Sequence, residues 1–156
     1  MQPNFRKYIV EHFEKRKTVY LTSKEARALA YSLASKVLSF LSCPAETKKP
    51  FLRVLELGSG AGTFLKRISA SMNADLYGID VCKPMLELAK RQTSKKVNFL
   101  LSDAENLPFR KNLFDVIVFQ DLLHHSVRNS WALSKRNIRK ALKEIARISK
   151  ISFIYF

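Results

Sequence analysis

The sequence predicts an open, doubly wound α/β sheet of about five mainly parallel strands, preceded by a helical extension. Three observations carry that prediction. From Phe51 onward, apolar runs of four to six residues alternate with helix-length segments, which is the rhythm of βαβ units. One of these runs, Phe-Asp-Val-Ile-Val-Phe at 114–119, is almost continuously apolar, as a strand covered on both faces must be. The first run is followed at once by a glycine-rich turn, the place where parallel sheets receive nucleoside ligands.

Taken in order, residues 5–16 alternate apolar and charged side chains in a short helical pattern. Thr22 with Glu25 forms a capping-box pattern that opens a second helix. Along that helix Ala26, Leu29, Ala30, Leu33, Val37, Phe40 and Leu41 recur at helical spacing and predict one buried stripe. Pro44 and the polar run Glu46–Pro50 read as a linker, so residues 1–50 form the extension and 51–156 the core. In the core, strands are expected at Arg53–Leu57, Asp75–Ile79, Val97–Leu101, Val116–Gln120 and Ile151–Phe156. Helices are expected near 62–72, 83–92 and 131–149.

A chain of 156 residues suits one folded unit of this kind. With 47% hydrophobic and 26% charged residues it is not a disordered segment. Its apolar runs fall far short of the ~18 residues a membrane span requires. The opening stretch from Met1 to Lys17 is charged throughout and carries no leader pattern. Cys43 and Cys82 fit neither a disulfide framework nor a zinc site, so a reducing, cytoplasmic setting is expected. The net charge of +15 is unevenly spread: residues 1–53 and 122–156 carry +7 each, and 54–121 only +1. Two basic flanks around a neutral centre point to a polyanion such as nucleic acid, or alternatively to a lysine-rich soluble surface.

The strongest local signal is Glu56-Leu57-Gly58-Ser59-Gly60-Ala61-Gly62. The chain has only four glycines, and three of them stand within these residues, with Gly78 the fourth. Glycine is required where backbone must take positive φ or approach a ligand closely. A dinucleotide site favours G-x-G-x-x-G with a pyrophosphate on the helix N-terminus. The spacing here is G-x-G-x-G, and the acidic Glu56 would repel a pyrophosphate. A cofactor bearing a sulfonium and an ammonium suits that charge, and S-adenosylmethionine bears both. Asp80, at the end of the second strand, suits a carboxylate accepting the ribose hydroxyls, or else a helix cap near Lys83-Pro84. In the first case Val81 lies against one face of the adenine. Asp103, after the third strand, can accept from an exocyclic amine while the Ala104 N–H donates to a ring nitrogen, which together would read adenine.

The segments VLELGSGAGTFL, LYGID, SDAENLPF and FDVIVFQDLLHH, in that order over about residues 51–150, resemble the class I S-adenosylmethionine-dependent methyltransferases, which are Rossmann-like, and most of all their small type 11 branch. The resemblance implies that Glu56 to Gly62 underlie the methionine part, with Gly58, Ser59, Gly60 and Gly62 in the loop. It implies that Asp80 contacts the ribose, that Val81 neighbours the adenine, and that Asp103 and Ala104 read it. It implies that Gln120, at the end of strand four, faces the methionine moiety. Relatives of this type continue past strand five to a terminal hairpin, which the sequence up to Phe156 does not include. Strand five is therefore expected as an exposed edge that pairs in a homodimer or with a protein partner, or else the chain is a natural truncation with impaired activity.

Methyl transfer from a sulfonium needs in-line placement of a nucleophile and no metal. Asp121, His124 and His125 follow strand four where the acceptor should arrive, and His124 is either a general base or a packed loop residue. Arg136, Arg139, Lys140, Lys143 and Arg147 form a basic stripe opposite Ile138, Leu142 and Ile145, suited to a phosphate backbone or simply to solvent. Phe5, Tyr8, Phe13, Tyr20 and Tyr31 in the extension are expected to pack, or else to cover the site. The reading is thus a methyltransferase acting on RNA or a small molecule. The alternative is a catalytically silent subunit of the same fold that binds a partner through its last strand.

Overall fold

Phe114–Phe119 is buried at all six positions, which only a strand covered on both faces achieves. It belongs to a five-stranded sheet in a computed structural model that describes residues 24–41, 52–93, 96–119 and 131–154. The strands are β1 (Leu52–Leu57), β2 (Ala74–Asp80), β3 (Val97–Leu101), β4 (Phe114–Phe119) and β5 (Ser149–Ile154). The helices are α1 (Lys24–Leu41), α2 (Thr63–Ser69), α3 (Lys83–Gln92) and α4 (Trp131–Ile148). The strand order is β3-β2-β1-β4-β5, and every pairing is parallel. This is the predicted doubly wound, Rossmann-like sheet. Its order reverses between β1 and β4, so the carboxyl ends of those strands frame a crevice.

Alternation along each strand divides the core in two. On one face Val54, Leu76, Phe99, Val116 and Val118 pack with Phe64, Leu65 and Ile68 of α2 and Leu86 and Ala89 of α3. Ala34 and Val37 of α1 close that layer. On the other face Leu55, Leu57, Ile79 and Ile117 pack with Ile145 and Ile148 of α4 and with Leu107, from the chain between β3 and β4. Tyr77, Phe109 and Phe114 stack edge to face there, with ring centroids 4.8–6.3 Å apart. Gly78 serves this packing: a Cβ would stand 2.7 Å from both Leu65 and Phe99. Only glycine lets α2 and β3 close on β2 at that point.

Element bounds shift by one to three residues in several places, β4 starting at Phe114 in place of Val116, and three differences have a physical cause of note. β5 begins at Ser149, directly after the last residue of α4, and not at Ile151. Ser149 and Lys150 look like turn residues, but Ser149 pairs with Phe114, and the Lys150 ammonium lies 3.1 Å from Asp115 Oδ1. Asp115 Oδ2 accepts the Arg53 N–H at 3.0 Å, so polar residues tie together the amino ends of β1, β4 and β5. Second, α4 buries Ser134, Ala141, Ile145 and Ile148, while Leu142 is exposed and Ile138 half-buried. The helix is turned so that Glu144 and Arg147 meet the β3–β4 connection. Third, Val37 of the predicted α1 stripe is buried together with Ala34, a position the stripe omitted. The other side chains of that stripe lie outside the described residues, as do residues 5–16, Thr22, the 42–50 linker, Phe5, Tyr8, Phe13 and Tyr20. Tyr31 is half-exposed, with the Arg67 guanidinium 5.6 Å from its ring centre. Among the described residues no helix is long and apolar enough to cross a membrane.

Candidate cofactor site

The turn after β1 is built for close approach. Gly58, Gly60 and Gly62 all have left-handed φ, at 71°, 49° and 74°. Side-chain-bearing residues rarely adopt that conformation, which is why the scarce glycines gather here. Gly62 is also the N-cap of α2, and a Cβ on it would lie 3.0 Å from Ala89 and 3.1 Å from Phe99. The turn is fastened to the next strand, because Gly58 N–H and Ser59 N–H both donate to the Ile79 carbonyl at 2.9 Å. From the far side the Gln92 side chain donates to the Ala61 carbonyl.

Asp80, at the carboxyl end of β2, links this turn to the start of α3. Its Oδ2 accepts the Gly60 N–H at 2.8 Å, and its Oδ1 accepts the Cys82 N–H at 2.8 Å. The N-cap position of α3 is Cys82, so Asp80 sits before the helix as a bridge and is not its cap residue. A carboxylate offers about four lone-pair sites, so acceptor capacity is left over for a ligand. Burial raises the Asp80 pKa, opposed by the N–H groups of Cys82, Gly60 and Val81. Its backbone carbonyl accepts the Ser102 N–H at 3.0 Å, which brings the end of β3 to the same crevice.

Glu56, at the end of β1, is buried. Burial first, and the nearby Asp80 carboxylate second, hold its pKa well above the ordinary value of 4.5. Its Oε2 and the Ser59 Oγ are buried with no hydrogen-bond partner among the described residues. Two such atoms are costly unless something polar meets them. A cationic ligand with hydrogen-bonding groups would do so, and S-adenosylmethionine fits that chemistry. Asp103 closes a tight turn after β3, its Oδ1 accepting the Glu105 N–H and its carbonyl the Asn106 N–H, both at 3.0 Å. Val81, Asp103 and Ala104 are all partly exposed.

The structure therefore brings Glu56, Gly58, Ser59, Gly60, Gly62, Asp80, Val81, Asp103 and Ala104 to the carboxyl edge of the sheet. Gln120, Asp121, His124 and His125 lie outside the described residues. Sequence reasoning missed Gln92, for which no local signal exists. It also misplaced Arg147, which belongs to an ion pair and not to a free basic stripe. The three-residue spacing from Glu144 was the available clue. Among the described residues no three His, Cys, Asp or Glu side chains gather as metal ligands would.

Comparison with known proteins gives the family and the fold. A family model described as a methyltransferase domain matches residues 55–152. The probable tRNA methyltransferase 9B of Bos taurus is 32% identical over 103 residues, covering 66% of this chain and 20% of its own length. The chain thus spans a small part of that curated relative. The magnesium protoporphyrin IX methyltransferase of Synechocystis, solved with S-adenosylmethionine bound, superposes with a TM-score of 0.71 at 14% identity, over 94% of this chain and 72% of its own. A Haloferax volcanii methyltransferase structure, a complex with the Trm112 activator, superposes with a TM-score of 0.57 at 21% identity, over 80% of this chain and 52% of that one.

Proposed function

This chain belongs to the methyltransferase-domain family and has its class I, S-adenosylmethionine-dependent type of fold, and from that premise we propose that it transfers a methyl group from this cofactor to an RNA acceptor by in-line displacement. The observation that carries the cofactor half is the left-handed glycine turn set against two enclosed carboxyls, Glu56 and Asp80.

When bound, the cofactor supplies a methyl group already activated by its sulfonium. The chain's own work is to bind and orient. Asp80 keeps the turn in shape with two hydrogen bonds and offers its remaining lone pairs to the ribose hydroxyls. Glu56 provides negative charge, and the Ser59 hydroxyl a hydrogen bond, under the methionine part. Val81 flanks the adenine, Asp103 and Ala104 read its edge, and Gln120 faces the methionine moiety. Orientation of this kind can contribute roughly 7–11 kcal/mol to the rate. A hydroxyl or amine acceptor must also lose a proton, for which His124 and His125 are the candidate bases.

The RNA half rests on charge. Lys135, Arg136, Arg139, Lys140 and Lys143 are exposed on α4, in the more basic of the two halves of the core. A relative named as a probable tRNA methyltransferase adds weight. We expect the intact chain to bind RNA with an affinity that falls steeply with salt. Exchanging Arg136, Arg139, Lys140 and Lys143 for glutamine should weaken binding at least tenfold and flatten the salt slope by about 0.7–0.9 for each phosphate no longer neutralised. Filter binding across a salt series reads both effects. A chain that binds S-adenosylhomocysteine yet shows no salt-dependent RNA affinity has a small metabolite as its acceptor.

A second chain is proposed to pair along the outer edge of β5, as a homodimer or a protein partner. The Haloferax neighbour, solved with an activator bound, supports a partner of the second kind. Light scattering at micromolar concentration tests the first: a clean monomer mass removes the homodimer. The cytoplasm is the proposed setting, in keeping with a chain of only two cysteines.

A further inference from the structure

The chain between β3 and β4 leaves the crevice at Asp103 and runs back to Phe114 along the α4 face of the sheet. Its first turn is anchored at one end by the Ser102 N–H on the Asp80 carbonyl. The anchor at the other end is a side-chain pair on α4. The Glu144 Oε2 accepts the Leu107 N–H at 2.9 Å, and the Arg147 Nη2 donates to the Leu107 carbonyl at 3.0 Å. The Arg147 Nη1 donates to the Phe109 carbonyl at 2.6 Å. The pair is itself bidentate, with Nε to Oε1 at 2.8 Å and Nη2 to Oε2 at 2.7 Å. Lower down, the Arg147 carbonyl accepts the N–H of Asn112, which sits at a left-handed φ of 52°.

This is an unusual amount of hydrogen bonding for one half-buried arginine to spend on loop backbone. Both polar backbone groups of Leu107 end on the pair, and Leu107 itself is buried against Ile145 and Ile148. The hydrogen bond and charge of Arg147 hold the Glu144 pKa below its ordinary value, so the carboxylate stays ionised as an acceptor. The planar fork of arginine is what permits this, since it serves two carbonyls and a carboxylate at once. A lysine has a single point of charge and cannot span them.

We propose that Glu144 and Arg147 are positioning residues for adenine recognition. By fixing Leu107 and Phe109 they hold the Asp103–Asn106 turn in the place where the Asp103 carboxylate and the Ala104 N–H meet the base. The inference rests on the reading of Asp103 as the group that accepts from the exocyclic amine.

The test compares S-adenosylhomocysteine with its hypoxanthine counterpart, S-inosylhomocysteine, whose ring carries an oxygen in place of that amine. Calorimetry on the full chain gives the affinity ratio of the two. A partly unfolded or weakened variant loses both affinities together, so the ratio moves only when reading of the base changes. The native chain should prefer the adenine form at least tenfold, and Asp103→Ala should bring the ratio to within threefold of unity. Arg147→Ala should lower the ratio at least fivefold although the Asp103 side chain itself is unchanged, and Arg147→Lys should not restore it. Should Arg147→Ala fail to fold, Glu144→Gln gives the same reading through the same contact. If Asp103→Ala collapses the ratio while the Arg147 and Glu144 variants keep the native value, the positioning role is overturned and the adenine reading stands. If the native chain shows no preference, or Asp103→Ala keeps it, the adenine reading falls and this inference falls with it.

Discussion

Asp80→Ala will weaken the binding of S-adenosylmethionine and S-adenosylhomocysteine at least a hundredfold. The carboxylate accepts the Gly60 and Cys82 N–H groups, so its removal strands two donors in a partly buried crevice. Two ribose hydroxyls donating to this carboxylate, at about 1.5–3 kcal/mol for each hydrogen bond to a charged group, correspond to about 3–6 kcal/mol. At about 1.4 kcal/mol per tenfold, even the lower bound reaches a hundredfold, and the lost shape of the turn adds to it. Asp75→Ala is the matched control. Asp75 pairs at 3.4 Å with Arg53 near the opposite end of β2, so its loss should leave cofactor affinity unchanged. Calorimetric titration of both variants decides the matter, and an Asp80→Ala protein binding within fivefold of the native chain would refute the assignment.

The second large effect concerns pH. Glu56 keeps its proton to a higher pH than an ordinary glutamate, because burial and the Asp80 charge both disfavour the ionised form. A cationic cofactor favours the carboxylate, so below that raised value binding must expel a proton. Affinity for S-adenosylmethionine should therefore climb with pH up to the raised value of the free protein, by as much as tenfold per unit. The free protein behaves in the opposite sense. Stability associated with Glu56 is greatest below 4.5 and is lost as pH rises toward the raised value, because the unfolded chain ionises first. Glu56→Gln should flatten both trends and lower the affinity at neutral pH. Titrations in two buffers of different ionisation enthalpy, between about pH 5 and pH 8, count the proton directly. Binding by the native chain that is flat with pH and releases no proton would contradict a cation facing Glu56.

The parts of this molecule that could be read from its sequence are those whose cause is local. The bounds of β3 at Val97–Leu101 and of α3 at 83–92 follow from an apolar run and from Pro84 in the first turn, and both coincide with the structure. The meeting of Glu56, the glycine turn and Asp80 followed from parallel topology alone. What escaped depends on neighbours far along the chain. β4 starts at Phe114 and β5 at Ser149 because those two residues pair with one another, which neither segment announces by itself. Gly78 looks like the end of a strand until Leu65 and Phe99 are seen to close over it. Arg147 reads as one more basic residue in a stripe, because its partners are backbone carbonyls about 40 positions earlier. That Glu56 Oε2 finds no partner among the described residues was not legible either, although the acid itself was.

The position of β1 at the switch point of the sheet also bears on how the chain assembles. Val54 pairs on one side with Leu76 and on the other with Val116, which stands nearly three times as far along the chain. Closing the longer loop costs about 1 kcal/mol more than closing the shorter. The half formed by β1, β2 and β3 is thus the cheaper nucleus, and it already contains the glycine turn, Glu56, Asp80 and Asp103. Strand β4 and its partner must then dock onto an edge left open by β1, where the longer closure delays them. Loop closure therefore favours shaping the turn at Gly58–Gly62 before β4 and β5 dock on the other edge of β1. Ligand present at that stage would act on the first half of the fold alone.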